Sequence, residues 1–499
     1  MRSSIFITVT TLTLILLFSC TEKNQYDEIR KVILTGKIHN YNGNNAKLYI
    51  LYSIPGSKEI RDTINVNDLG YFEYKFSCYI PLDAMILEKR TFANINFIYH
   101  PGDSIHIEFE AHEKQKDLLH SVTFSGDQSA TNNDLIIFQR LREDNNLGYG
   151  VVDPNITYKL NPNDFVLEMG KIKKKQIALF DKFVKDFNPS IEVRTWATLF
   201  ATETYFYFLD DYCYERKIEF LAQSSNYVES ISPMTINKMI CWRILNQRIS
   251  RYRSAKIGPM FVNKYSSIIG KIKTGEISPD SLLIDFILNS SSDSLLNQLV
   301  IANYYVNQFD GNILDGYNKN NKTIQSVVSK PFIYNPLNVN YKQVNDFINR
   351  PEMLTNEILN KIEDTPIKET LDKILFKNKG RVIYLDCWAT WCSPCKEAMP
   401  DSKKLMIKMK DKDVSFVYVC IESEEIIWKR LLTEFDLHGG QHYLMNKQQS
   451  EFFRDILKVG GVPCYFLINK KGQIVEQGFN LHPGEKTTED KIIRLLNEK

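Results

Sequence analysis

The chain has 499 residues, 43% of them hydrophobic and 24% charged, and 62 Lys and Arg stand against 60 Asp and Glu for a net charge of +2. That balance excludes a mainly disordered chain and leaves no basic field to hold nucleic acid or an anionic surface. The length predicts about three domains, and the only strongly apolar stretch lies at the N-terminus, which excludes a multi-span transporter or channel.

Residues 1–20 have the pattern of a targeting segment rather than of folded structure. Arg2 supplies the positive start, and Ile5 to Phe18 form an apolar run, shorter than the roughly 20 residues a membrane-crossing helix needs. The string Leu17-Phe18-Ser19-Cys20 resembles a bacterial lipobox, although Phe18 is bulkier than that pattern usually allows. The resemblance implies that Cys20 becomes a lipidated N-terminus, each buried methylene of its acyl chains contributing about 0.8 kcal/mol. A plain cleaved signal or an uncleaved anchor is the alternative. Each reading places the remaining chain in the cell envelope, periplasmic or outer-membrane facing. Thr21 supplies no inner-membrane retention signal of the Asp type.

From Lys31 to about Phe124 the pattern has period two. Runs such as Lys47 to Tyr52, Tyr71 to Phe76 and Ile105 to Phe109 are separated by Asn42-Gly43-Asn44-Asn45, Pro55-Gly56-Ser57 and Asp68-Leu69-Gly70. This predicts an N-terminal all-β, sandwich-like domain over 21–127. It offers no cluster of nucleophile, base and acid, and a spacer or docking role is its expected one.

The period then shifts to 3.6, which predicts a central, mainly helical domain over 128–368. Ile172 to Phe187, Ile191 to Leu221, Ile236 to Ile249 and Ser281 to Phe309 read as helices. Asn188-Pro189-Ser190 marks a stop and a new start, and Ser278-Pro279-Asp280 marks an N-terminal cap. The aromatic run Tyr205-Phe206-Tyr207-Phe208 is expected in the core rather than on a ligand surface. Residues 310–370, rich in Asn and Lys with several prolines, read as short helices and loops.

The last segment, 369–499, alternates apolar strands with amphipathic helices. Strands are expected at Arg381 to Asp386, Val414 to Val419 and Pro463 to Ile468, the last paired through Asn469-Lys470-Lys471-Gly472 with Gln473 to Glu476. Helices are expected from Cys392 to about Lys410, around Glu424 to Phe435, and near Asp490 to Asn497. The arrangement is a βαβ unit completed by a hairpin and a helix, an α/β domain.

Of nine cysteines, Cys20 ends the leader, Cys78, Cys213 and Cys241 are scattered, and Cys387, Cys392, Cys395, Cys420 and Cys464 lie near the C-terminus. Only Cys392 and Cys395 have the spacing of a paired site, in Asp386-Cys387-Trp388-Ala389-Thr390-Trp391-Cys392-Ser393-Pro394-Cys395-Lys396. At a helix start, free N–H groups and the positive end of the helix stabilise a thiolate at the first cysteine. The second, one turn on, can resolve a mixed disulfide. Pro394 suits the first turn, where its missing N–H costs nothing. Cys387, Cys420 and Cys464 are expected as buried small hydrophobes.

This segment resembles the thioredoxin superfamily, and within it the tethered or periplasmic thiol–disulfide oxidoreductases of the TlpA and ResA type. The resemblance rests on Trp388 to Cys395, on Pro400 in the following helix, and on Gly461-Val462-Pro463 before a strand. It covers about a quarter of the chain. The β-then-helical extension also resembles long lipoprotein members of the group, through weaker motifs. The resemblance implies a thioredoxin-like fold and catalysis by Cys392 and Cys395 without cofactor or metal. It further implies a cis Pro463 beside Val462 and Trp391 for the substrate chain, and a buried proton-handling acid at Asp386. Disulfide-containing proteins or peptides would be the substrates, reduced with electrons from a membrane thiol donor. Two departures stand out: relatives carry a glutamate where this chain has Ala398, with Glu397 one place earlier, and Cys464 follows the proline. Glu397, rotated by about 100° around the helix, is expected as a solvated charge.

Other readings have identifiable weaknesses. Zinc on Cys392 and Cys395 needs two more ligands, with His438 and His442 the nearest by sequence. An inert disulfide closing so small a loop adds little stability. A thiol peroxidase of the same general fold needs a proline and threonine before its cysteine in a spacing this chain lacks. A binding or scaffold lipoprotein with an accessory redox domain is the alternative from another class, since the N-terminal region carries no identifiable chemistry.

Overall fold

The computed structural model of the protein describes residues 26–498 apart from 44–45, 149–150, 154–156, 217–231, 254–256, 265, 269–278, 351–358, 361–368 and 438. The leader with Cys20, the far end of the helix expected to reach Leu221, Ser278 and His438 therefore lie outside the described residues. The chain groups into two compact units, one reaching to Val306 and including Gly316–Asn338, the other made of Asn307–Asp315 and Val339 onward.

In the first unit the period-two segment forms β1 (Arg30–Ile38), β2 (Leu48–Tyr52), β3 (Ile60–Ile64), β4 (Tyr71–Cys78), β5 (Leu82–Glu88), β6 (Asn94–Tyr99), β7 (Ser104–Phe109) and, after α1 (Gln115–Ser121), β8 (Thr123–Gly126). They make two four-stranded sheets, ordered β4-β1-β7-β8 and β3-β2-β5-β6. Alternate residues of β1, Val32, Leu34 and Ile38 among them, are buried, as the pleat requires. Phe76 of β4 lies 4.8 Å from both Tyr52 of β2 and Tyr99 of β6, which joins the two sheets through aromatic contacts. Gly36 is obligatory here, because a Cβ would meet the Phe72 ring at 2.2 Å and the Ile107 carbonyl at 2.6 Å.

Helix α2 (Ser129–Asp144) runs along the free edges of both sheets and satisfies their backbone with amide side chains. Asn96 N–H donates to Gln139 Oε1 at 3.2 Å and Gln139 Nε2 donates back to the Asn96 carbonyl at 3.0 Å. Ile98 and Asn132 repeat the exchange at 2.7 and 2.9 Å, as do Phe124 of β8 and Asn133 at 2.9 Å each way. Gln115 of α1 does the same for Asn94. Edge strands present unpaired groups that must be paired or covered, and this coupling brings sheets and helices into one unit.

The helices continue with α3 (Pro162–Phe187), α4 (Ile191–Arg216), α5 (Trp242–Tyr252) preceded by a 3-10 turn at Ile236–Cys241, α6 (Gly258–Lys264), α7 (Pro279–Ser290), α8 (Ser294–Asp310), α9 (Asp315–Val327) and α10 (Pro331–Ile348). Asn161 caps α3, accepting from Asp164 N–H at 3.1 Å, with Pro162 in the first turn. Asn188 ends it in a left-handed conformation, φ 46°. The single helix expected over 281–309 is two, because Asp293 accepts from Leu296 N–H at 3.0 Å and starts α8. Residues 310–370 are more helical than expected: Pro331 opens α10 and Pro336 lies inside it, while Phe332, Ile333 and Leu337 are buried. Packing there outweighs the lost backbone bond. Of the aromatic run, Phe206 is buried but Tyr207 is 39% exposed, since consecutive residues on a helix cannot share one face.

The second unit holds a six-stranded sheet ordered β14-β13-β10-β11-β12-β9. Its strands are β9 (Leu359–Asn360), β10 (Val382–Trp388), β11 (Val414–Cys420), β12 (Gln441–Leu444), β13 (Cys464–Ile468) and β14 (Ile474–Gly478). The helices are α11 (Thr370–Lys377), α12 (Ser393–Lys408), α13 (Glu425–Phe435), α14 (Lys447–Leu457) and α15 (Lys486–Asn497). Strands β10 and β11 are parallel and buried along their whole length, and β13 runs antiparallel to β10. Such continuous burial follows from covering both faces of a parallel core with helices. Among the described residues no helix is long and apolar enough to cross a membrane.

Candidate active site

Strand β10 ends at Trp388, and a four-residue link delivers Cys392 to the mouth of α12. Cys392 is the capping residue, with extended backbone, and its Sγ accepts from the Cys395 N–H at 3.1 Å. Pro394 occupies the first turn. A sulfur at this position receives the backbone donors and the positive end of the helix, which favour its anion. The two sulfurs are joined as a disulfide, and both cysteines are buried.

The link is held from the neighbouring loop. Cys392 N–H donates to the Ala389 carbonyl at 3.1 Å, Thr390 N–H to Ser423 Oγ at 2.9 Å, and Trp391 Nε1 to the Glu422 carbonyl at 3.0 Å. Glu422 is itself fixed by Arg454 at 2.7 Å and by Ser450. Sequence reasoning missed Glu422 and Ser423, which carry no spacing signal relative to the cysteines. Trp391 is 43% exposed beside the dithiol, whereas Trp388 is fully buried.

Asp386 lies on β10 in register with Tyr418 of β11 and Tyr465 of β13. Register partners project to one side of a sheet, and the Tyr418 hydroxyl meets Ser402 Oγ of α12 at 2.9 Å. The Asp386 side chain therefore faces α12. It is 2% exposed, and its Oδ1 has no hydrogen-bond partner. Burial pushes its carboxyl up to about 8.

The Val462–Pro463 peptide is cis. Val462 packs against the buried cluster that contains Cys392, Cys395 and Cys464. Cys464 stands opposite Cys387 across β13 and β10. Both are buried free thiols, and burial raises each above the usual thiol range; Cys420 is pushed up to about 12 by the same cause. Such thiols are poor nucleophiles near neutrality. Glu397 is exposed and Ala398 is buried. His442 is buried, stacked on Tyr418 at 4.8 Å, with Nε2 within 2.7 Å of the Leu437 carbonyl. Among the described residues no group of three or more His, Cys, Asp or Glu could hold a metal ion.

Comparison with known proteins agrees with this geometry. The Redoxin family model matches residues 369–492. The thiol–disulfide oxidoreductase ResA of Oceanobacillus iheyensis is 32% identical over 98 residues, 20% of this chain and 49% of the relative. ResA of Bacillus cereus is 32% identical over 111 residues, 22% of this chain and 60% of the relative. The chain thus spans about half of the first relative. Among solved structures, the thioredoxin domain of a thiol–disulfide oxidoreductase from Bacteroides vulgatus is 24% identical, over 24% of this chain and 84% of that one, with a TM-score of 0.22. The Redoxin match and the ResA relatives fall on the segment that carries the helix-capping dithiol and the buried acid, and mark the C-terminal domain as similar to TlpA/ResA-like thiol–disulfide oxidoreductases of the thioredoxin superfamily.

Proposed function

We propose that the protein is an extracytoplasmic, lipid-anchored thiol–disulfide oxidoreductase that reduces disulfides in proteins or peptides. The observation that carries this reading is the position of Cys392 Sγ at the cap of α12, accepting the Cys395 N–H.

In the reduced enzyme the Cys392 thiolate attacks one sulfur of a substrate disulfide. The Cys392–substrate bond forms, the substrate S–S bond breaks, and the departing thiolate takes a proton. Cys395 then gives its proton to the Asp386 carboxylate and attacks Cys392 Sγ. This releases the second substrate thiolate and leaves the Cys392–Cys395 disulfide. Two electrons have passed to the substrate, and a membrane thiol donor restores the dithiol by the same exchange. Trp391 gives an exposed apolar surface for the substrate chain, and the backbone at Val462 and Pro463 offers pairing for it as an added strand. Cys20 supplies the anchor.

The test is reduction of insulin by the full chain with a thiol donor. Cys392→Ser is expected to abolish turnover, and Cys395→Ser to accumulate a mixed disulfide with substrate. Retention of turnover by Cys392→Ser overturns the reading. For the anchor, Cys20→Ala is expected to shift the protein from the membrane fraction to the soluble fraction.

A further inference from the structure

The first unit contains a cavity of about 480 Å³, within the range of small-molecule sites. One wall is a single face of α4, formed by Phe200, Thr204, Tyr207, Phe208 and Asp211, whose spacing returns to the same side of a helix. Opposite stand residues of α2. Gln139 in that wall is already committed to the β6 backbone, but Arg142 is not. Its guanidinium lies over the Phe200 ring at 4.4 Å, and one N–H₂ group donates to the Leu147 carbonyl at 3.0 Å. The residue is only 9% exposed; the Glu143 carboxylate, which lines the same cavity, acts on it through space, but among the described residues no salt bridge joins the two.

A buried cation whose neighbouring carboxylate does not hydrogen-bond it is only partly compensated. Arginine has five N–H donors in a planar fork that fits a carboxylate through two parallel bonds. The free donors at this cavity therefore call for a carboxylate, and the Phe200 platform holds the fork flat to receive it. At the far end of the same helix face, Asp211 accepts from the Tyr158 hydroxyl at 2.5 Å through Oδ2 and brings negative charge to the lining. Phe200 and Asp211 are separated by eleven positions, about 16 Å along the axis at about 1.5 Å per residue. Extended peptide covers about 3.3–3.6 Å per residue. With two side chains reaching inward, the span suits three or four residues. Phe208, between the two charged ends, offers a ring face for an apolar side chain.

We propose that this cavity binds a short peptide by its free ends, with the carboxylate on Arg142, the ammonium on Asp211 and an apolar side chain against the aromatic face of α4. The readout is binding, not thiol exchange, so its outcome is separable from that of the dithiol reading.

The test is titration calorimetry of the full chain with the free-ended tetrapeptide Ala-Phe-Leu-Ala, its C-terminal amide and its N-acetyl form. Saturable binding of the free peptide is expected, weakened at least tenfold by amidation and severalfold by acetylation. Arg142→Gln is expected to lower affinity for the free peptide to that of the amide while leaving the amide unaffected, and Asp211→Asn to do the same for acetylation. If Arg142→Gln does not fold, the free-acid and amide forms on the parent protein decide the matter. Absence of saturable binding up to millimolar peptide, or affinity indifferent to blocking of either end, overturns the proposal.

Discussion

Asp386 and Tyr418 face each other in register across β10 and β11, and the Tyr418 hydroxyl reaches Ser402 of α12, so the buried acid lies on the side of the sheet covered by the dithiol helix. No basic residue is among the causes that set its protonation. Burial alone lifts it to about 8. Near neutral pH such a group can both release and accept a proton, which is what the resolving step at Cys395 requires. The helix position where the sequence resemblance implied a glutamate holds the buried Ala398.

Replacing Asp386 with Asn is therefore expected to slow turnover by about 10²-fold, the lower end of what a positioned acid or base contributes. The pH–rate profile of the parent should show an inflection near 8 that the variant loses. Stopped-flow measurement of the resolving step across pH 6–9 checks this. Equal rates and an unchanged profile would remove Asp386 from the mechanism.

The same residue ties stability to pH, and the sign is opposite to that of a salt-bridged acid. Its folded value, about 8, lies above the usual carboxylate value near 4. Its contribution is fully present below about pH 4 and is lost as pH rises through about 8, at roughly 1 kcal/mol per pH unit. Asp386→Asn has no charge to bury. The variant should gain stability over the parent progressively across that window, as read by chemical denaturation at pH 5, 7 and 9. A constant difference at all three would contradict the burial argument.

Much of the second unit was legible because its signals are local. Apolar runs such as Val414 to Val419 and a cap-and-proline helix start need no distant partner, and β10, β11, β13 and α12 lie within a few residues of the expected positions. Strand β12 has only four residues, too few to establish a period, and α14 opens on an Asn446–Gln449 capping box that sequence reading passed over. In the first unit the strands were legible from alternation. The role of Asn132, Asn133 and Gln139 was not, because polar residues on a helix normally read as a solvated face. Their partners are backbone groups up to 43 residues away. The support of Trp391 by Glu422 was hidden for the same reason.

Under the proposed function, Trp391 serves substrate binding rather than the exchange chemistry. Its ring is 43% exposed and its one hydrogen bond goes to a backbone carbonyl, so Trp391→Ala should change stability by less than about 1 kcal/mol. Loss of the exposed ring beside the dithiol should raise KM for protein disulfides severalfold while leaving reaction with a small disulfide such as oxidised glutathione nearly unchanged. Steady-state assays with both substrates check this. Equal loss on both would mean that Trp391 shapes the dithiol and not the docking surface.

The amide side chains along β6 set the stability of the first unit. Asn132 is fully buried and exchanges two hydrogen bonds with the Ile98 backbone. Truncation to Ala leaves that N–H and that carbonyl without partners at a buried site, at about 1–3 kcal/mol for each unsatisfied group. Asn132→Ala should therefore cost about 2–5 kcal/mol. Asn132→Asp keeps one acceptor for the Ile98 N–H but loses the donor to the carbonyl and buries a charge, so it should be no better. Asn133→Ala acts on the partly exposed edge of β8, where water can replace the side chain, and should cost about 1 kcal/mol or less. Urea denaturation followed by the tryptophan signal of the first unit ranks the three. If Asn132→Ala proved as mild as Asn133→Ala, the β6 edge would have to be hydrated, contrary to its burial.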